Sequence, residues 1–130
     1  MGLTTLSNYD LVCDRLNTMG LKKMVSYNAS TANTYEVLSD SKITIPAGKY
    51  LRMTATGIWR NTYITGIRIQ RGNDVENAHT LAINENSTGY NGLPVTTTYY
   101  NDSASGVDIY VAAKANGTTN TMIAIVYDFV

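Results

Sequence analysis

Apolar and polar positions alternate along much of this chain with the period of a β-strand, and the most telling exception is the segment Thr121 to Val130. Its β-branched and aromatic content reads as a strand, and successive strand side chains point to opposite faces. One face carries Ile123, Ile125, Tyr127 and Phe129; the other carries Met122, Ala124, Val126 and Val130, with only Asp128 interrupting. An antiparallel strand with one solvated face alternates apolar with polar. A strand apolar on both sides is expected to be covered twice, once by its own core and once by another copy of the chain.

Upstream, candidate strands fall at 22–28, 34–38, 42–46, 49–59, 63–71, 79–84, 95–101, 107–114 and 120–130. Turn residues punctuate them at Pro46-Ala47-Gly48, Arg71-Gly72-Asn73-Asp74, Asn91-Gly92, Ser105-Gly106 and Asn116-Gly117. Leu51, Met53 and Ala55 oppose Arg52, Thr54 and Thr56, and Trp59 continues the inward register. Ile67 and Ile69 oppose Arg68 and Gln70, while Val107, Ile109, Val111 and Ala113 oppose Asp108 and Tyr110. Eight or nine short strands with regular turn signals predict an all-β antiparallel sandwich or jelly roll. No helical pattern alternates with the strands, which argues against a parallel α/β sheet.

Residues 1–23 differ, and are read as a helical neck or linker ahead of a head domain at 24–130. Ser7 can cap a helix whose third residue is Asp10, and Gly20 supplies a stop. Between them Tyr9, Val12, Leu16 and Met19 recur at spacings of three, four and three, the stripe of a narrow helical seam. So short a seam is marginal alone in water. It fits a helix packed on its own domain, or a neck joining identical chains.

Composition narrows the function classes. The 130 residues suit one domain with its own core. Charged residues are 15% and the formal net charge is zero, so no basic footprint points to nucleic acid or anionic lipid. Thr, Asn and Ser must supply the polar surface. Cys13 is the single cysteine, which excludes an intrachain disulfide and a thiolate metal cage. No apolar run has the length of a membrane-spanning helix, and the first residues lack the pattern of a secretory signal. An extracellular role then fits release by lysis, and equally a sequence that begins within a longer protein.

The stretch Ile43-Thr44-Ile45-Pro46-Ala47-Gly48-Lys49-Tyr50-Leu51-Arg52-Met53-Thr54-Ala55-Thr56-Gly57-Ile58-Trp59 resembles the strand–Pro–x–Gly–x–Tyr–strand signature of the C1q/TNF-like jelly roll. Ile67-Arg68-Ile69-Gln70-Arg71-Gly72-Asn73 is similar to that family's next strand and turn, with Asn-Gly transposed. A glycine-led strand, Gly106 to Val111, precedes the apolar closing strand in the same order. The resemblance covers about residues 35–130. It departs in a thin aromatic core, with Phe129 the only phenylalanine, and in the absence of a collagen repeat. The Thr/Asn-rich style looks more like bacteriophage tail-fibre tips and receptor-binding heads that share the jelly roll. Such a likeness implies a homotrimer whose closing strand helps to build a threefold interface.

Catalytic motifs are missing from the sequence. His79 is the sole histidine, and nucleophile-elbow, zinc-protease and phosphate-loop patterns do not occur. No cofactor is nominated, and the carboxylates form no calcium ladder, although Asp74/Glu76 and Asp102/Asp108 could meet in a folded chain. Ten tyrosines beside one Trp and one Phe are more suggestive, because Tyr joins a flat apolar face to a polar tip. Tyr90 and Asn91 lie in the longest irregular segment, and Tyr99, Tyr100, Asn101 and Asp102 end a strand and open a loop. These six are the candidate ligand contacts. Met122, Ala124, Val126, Val130, Tyr9, Val12, Leu16 and Met19 are the candidate trimer contacts. The expected function is a non-enzymatic virion protein: a trimeric fibre tip attaching to a host surface glycan or protein and to other virion components. A purely structural virion module and a C1q-like secreted or spore-surface protein are the alternatives.

Overall fold

A computed structural model describes residues 21–58, 62–86, 93–118 and 120–130. The helix expected over Tyr9, Val12, Leu16 and Met19 lies outside the described residues, as do Cys13, Trp59, Tyr90 and Asn91.

Eight strands follow one another: β1 (Leu21–Tyr27), β2 (Glu36–Ile45), β3 (Tyr50–Ile58), β4 (Ile64–Arg71), β5 (His79–Glu85), β6 (Val95–Tyr100), β7 (Val107–Ala115) and β8 (Thr121–Phe129). They form two antiparallel four-stranded sheets, ordered β1-β8-β3-β6 and β2-β7-β4-β5. The pairings β1·β8, β2·β7, β3·β6 and β4·β5 set the first half of the chain against the second in reverse order. The described part is all-β, with no helix among the described residues.

Alternation decides what goes inside. Leu51, Met53, Ala55, Ile123 and Ile125 of the first sheet meet Ile43, Ile45, Ile67, Ile69, Ile109 and Val111 of the second, all buried. Tyr127 and Phe129 continue the inward face of β8 and pack edge-on, their centroids 5.8 Å apart. Removing such side chains from water contributes about 1.5–3 kcal/mol each, the main drive for closing the sheets.

Two local expectations change. The polar run Ser39-Asp40-Ser41 was expected to separate two strands, yet β2 runs through it with a register irregularity between Leu38 and Ile43. Ser41 is buried there: its hydroxyl donates to the Leu38 carbonyl and accepts the Val111 N–H at 2.8 Å. The side chain replaces ladder bonds that the bulge interrupts. Gln70, expected on the polar side of β4, is buried beneath the β4–β5 connection. Its amide donates to the carbonyls of Gly72 (2.7 Å) and Asp74 (3.3 Å), and its oxygen accepts the Arg68 Nε–H. Polar chemistry misleads here because backbone carbonyls, not water, satisfy it.

The sandwich has two seams. Along the β4–β5 and β6 edge, Arg71 at the end of β4 donates to the Tyr99 hydroxyl of β6 at 3.0 Å, and Asn84 of β5 to the carbonyl of Pro94, just ahead of β6, at 3.1 Å. At the other edge, Lys23 of β1 donates to the Lys42 carbonyl of β2 at 2.8 Å, and the buried Tyr27 hydroxyl of β1 reaches the Ala113 carbonyl of β7 at 3.1 Å. Burial, then the Glu36 charge, pushes the Tyr27 phenol up to about 12.

Candidate functional site

The outer face of the first sheet collects the outward half of each strand. Register places Lys22 beside Val126, Met24 beside Ala124 and Ser26 beside Met122. Across β8, Thr54 faces Val126, Thr56 faces Ala124, Ile58 faces Met122, and Arg52 faces Asp128. Tyr50 and Val130 exchange both backbone hydrogen bonds, at 3.0 and 2.9 Å, and Tyr50 pairs with Tyr100 on β6. Six large apolar or aromatic side chains among the described residues are strongly exposed, and five lie here: Met24, Tyr50, Tyr100, Val126 and Val130, at 44–57%. The sixth, Ile83, lies on the other sheet. Scattered exposed hydrophobes are ordinary, whereas one contiguous set on one face marks a contact surface.

Of the four closing-strand residues, Val126 and Val130 are exposed and Met122 and Ala124 half-buried. Inward and outward sets on β8 therefore divide as the alternation predicts. Met24 and Tyr50 were missed as members of this face; only strand pairing brings them beside β8. Two polar pairs interrupt the patch: the Thr54 and Thr96 hydroxyls meet at 3.1 Å, and an ion pair crosses from β3 to β8. Arg52 grips Asp128 with Nε at 2.9 Å and with its terminal nitrogen, and these hydrogen bonds hold the carboxyl below its usual range.

The candidate ligand residues separate. Tyr100 is exposed and stacks on Tyr50, with centroids 4.5 Å apart and planes tilted by 31°. Tyr99 points the other way, packs against the core and accepts the Arg71 bond. Asp102 is exposed. Asn101 is 1% exposed, and its amide donates to the carbonyls of Ile45 (2.9 Å) and Ser105 (2.8 Å) while its oxygen accepts from the Ser103 N–H and hydroxyl. Its backbone clasps the β2–β3 turn as well: Gly48 N–H reaches the Asn101 carbonyl at 2.9 Å, and Asn101 N–H reaches Lys49. Gly48 sits at φ 72°, a left-handed conformation that glycine adopts without strain. Asn101 is thus an internal clamp with no amide hydrogen left for a ligand. The connection containing Tyr90 and Asn91 leaves β5 after Glu85 and enters β6 at Val95. Its flanks stand one strand length from Tyr100, about 17 Å for a six-residue strand.

A second cluster covers the outer face of the other sheet. Tyr35 lies over Gly66, where an added Cβ would strike the phenol ring and Lys114. Arg68 and Lys114 each stand 5.1 Å from the ring centroid, and the hydroxyl donates to Glu85 Oε1 at 2.6 Å. That bond, with Lys114 at 3.4 Å, holds the Glu85 carboxyl below its usual range, while burial and Glu85 raise the Tyr35 phenol. Beside this cluster a polar cleft of about 310 Å³ is lined by Asn33, Thr65, Glu85, Asn86, Lys114 and Asn116. Sequence reading did not nominate it, because its parts come from four separate segments.

Of the carboxylates considered for calcium, Asp74 and Asp108 are engaged by neighbouring groups. Asp74 caps its own turn through Glu76 N–H and the Asn77 amide (2.6 Å), and Asp108 accepts from Thr44 at 2.6 Å. No cluster of three or more His, Cys, Asp or Glu residues placed to hold a metal occurs among the described residues. His79 is exposed at the start of β5. No described helix is long and apolar enough to cross a membrane. No protein-family model matches the chain, and comparison with curated proteins finds no match.

Proposed function

We propose that this chain is a non-enzymatic head domain of a bacteriophage virion, a jelly roll that assembles as a homotrimer and serves as a fibre tip attaching to a host surface glycan or protein. The pairing of β1 with β8, β2 with β7, β3 with β6 and β4 with β5 supports the jelly-roll reading, since that fold winds one long antiparallel ribbon into two four-stranded sheets. The Pro46-x-Gly48-x-Tyr50 turn between β2 and β3 supports the likeness to C1q/TNF-like heads. The neutral Thr/Asn-rich surface fits a particle that works outside the cell.

One observation carries the assembly: the exposed apolar face around β8, with Met24, Val126, Val130, Tyr50 and Tyr100 on a single sheet. Apolar area removed from water is worth about 25 cal/mol per Å², and obligate interfaces bury about 2,000–5,000 Å² in total. Three copies meeting through this face would leave the lone subunit disfavoured. Weak sites repeated on the assembled head would then act through avidity. Sedimentation of the full chain tests the claim: a mass of three chains is expected, and a lone chain at micromolar concentration would overturn it.

The internal role of Asn101 favours a second reading, a structural virion module without a receptor site, because one expected ligand contact holds a turn instead. Adsorption competition separates the two: a head that blocks phage attachment is an attachment protein, and an assembled head that never does is structural.

A further inference from the structure

We infer that the cleft lined by Asn33, Thr65, Glu85, Asn86, Lys114 and Asn116 is a binding site for the hydroxyl groups of a neutral pyranoside. It deepens the attachment reading, on which it rests for the source of the sugar. A carboxylate beside amide and ammonium donors is the chemistry that reads neighbouring hydroxyls, each of which both donates and accepts. Glu85 supplies the acceptor: Oε1 takes the Tyr35 and Lys114 bonds, and Oε2 has no partner among the described residues. Lys114 donates from one side. Asn116 uses its oxygen on the Tyr63 N–H at 3.0 Å, which leaves its amide nitrogen as donor.

These groups are held before any ligand arrives. Asn116 N–H bonds to the Tyr63 carbonyl at 3.0 Å, Asn33 N–H to Ala115 at 2.7 Å and Asn86 N–H to Thr65 at 3.1 Å. Tyr35, seated over Gly66 between two cations, fixes Glu85. Pre-ordered polar groups lower the entropy cost of binding. The ligand's charge follows from the lining, in which one carboxylate and one ammonium cancel; neither an anion nor a cation is selected. At about 310 Å³ the space sits near the lower end for small-molecule sites, the size of a sugar ring or two.

The test uses the assembled full chain and the methyl glycosides of glucose, galactose, mannose and N-acetylglucosamine, observed by saturation-transfer NMR at millimolar concentration. At least one is expected to bind. Loss of a charged hydrogen-bond partner should weaken it about tenfold or more in Glu85→Gln, and loss of the neutral amide donor in Asn116→Ala should weaken it by about two- to tenfold. Glu85→Gln keeps an acceptor for Tyr35, and unchanged sedimentation guards against a folding artefact. Silence from all four glycosides, or binding indifferent to both variants, would overturn the site. Binding lost only in Tyr100→Ala would move the sugar to the aromatic end, overturning the cleft while leaving the attachment head intact.

Discussion

The two sheets share one core but finish their outer faces in opposite ways. On the second sheet, Tyr35, Arg68, Gln70, Glu85 and Lys114 partner one another and the backbone over Gly66, and Thr44 bonds to Asp108. That face keeps these charged groups paired, with Ile83 its one strongly exposed large apolar side chain among the described residues. On the first sheet, Met24, Val126 and Val130 have no such cover, and among the described residues the one ion pair is Arg52 with Asp128. The difference teaches that solvent exposure alone does not mark an interface. A face dominated by polar groups can stand in water, whereas an apolar face with one embedded ion pair gains by being covered.

The sharpest way to break this contrast is a charge on each face. Val126→Asp should abolish assembly, or expression of folded protein, whereas Ile83→Asp on the other sheet should leave the sedimentation mass unchanged. Equal effects of the two would remove the distinction between faces.

Gly66→Ala comes next. The new methyl would collide with the Tyr35 ring and Lys114, so the polar lid must shift. Overpacking of this kind costs about 1–3 kcal/mol, measurable by urea denaturation, while a change below the error of the midpoint would show the lid to be loosely held.

Alkaline titration reads the seam between the sheets. Tyr27 has a folded value of about 12 against an ordinary 10.0. A raised folded value means that the contribution is fully present below pH 10 and is lost as pH rises toward 12. Tyr27→Phe should flatten this alkaline decline, and an identical decline in the variant would assign it elsewhere.

The smallest effect lies in acid. Asp128 and Glu85 are both held low, by Arg52 and by Tyr35 with Lys114 respectively. Their contributions are present above the ordinary carboxylate range and are lost as pH falls through the lowered folded values. Both pairs are solvent-facing, so the shifts in acid midpoint should be slight. Arg52→Gln should remove the Asp128 part, and Lys114→Gln a share of the Glu85 part. If the first sheet is covered by sister subunits, added salt should screen the Glu85 pair more than the Asp128 pair. Equal screening would count against that cover.

Strand content and inward residues were legible because period-two alternation is a property of the local backbone. Leu51, Met53, Ile67, Ile69, Ile109 and Ile125 face inward as their spacing requires. Turn chemistry located the ends of most strands within a residue or two. It failed at Ser39-Asp40-Ser41, where a buried hydroxyl mends the ladder, and at Gln70, whose partners are carbonyls of a later turn. The candidate site was less legible. Tyr99 to Asp102 and the connection after Glu85 are close in sequence, yet a whole strand stands between them.

By itself, then, the chain's alphabet determined the all-β class, the turns, and the two-sided apolar character of β8. Tertiary structure alone decided which strands became neighbours. That choice gathered Met24, Tyr50, Tyr100 and Val126 on one face, drew Asn101 into the interior, and built the polar cleft from four segments. The physical reason is range: alternation acts between adjacent residues, while the bonds that choose neighbours join positions as far apart as Tyr27 and Ala113, 86 residues away.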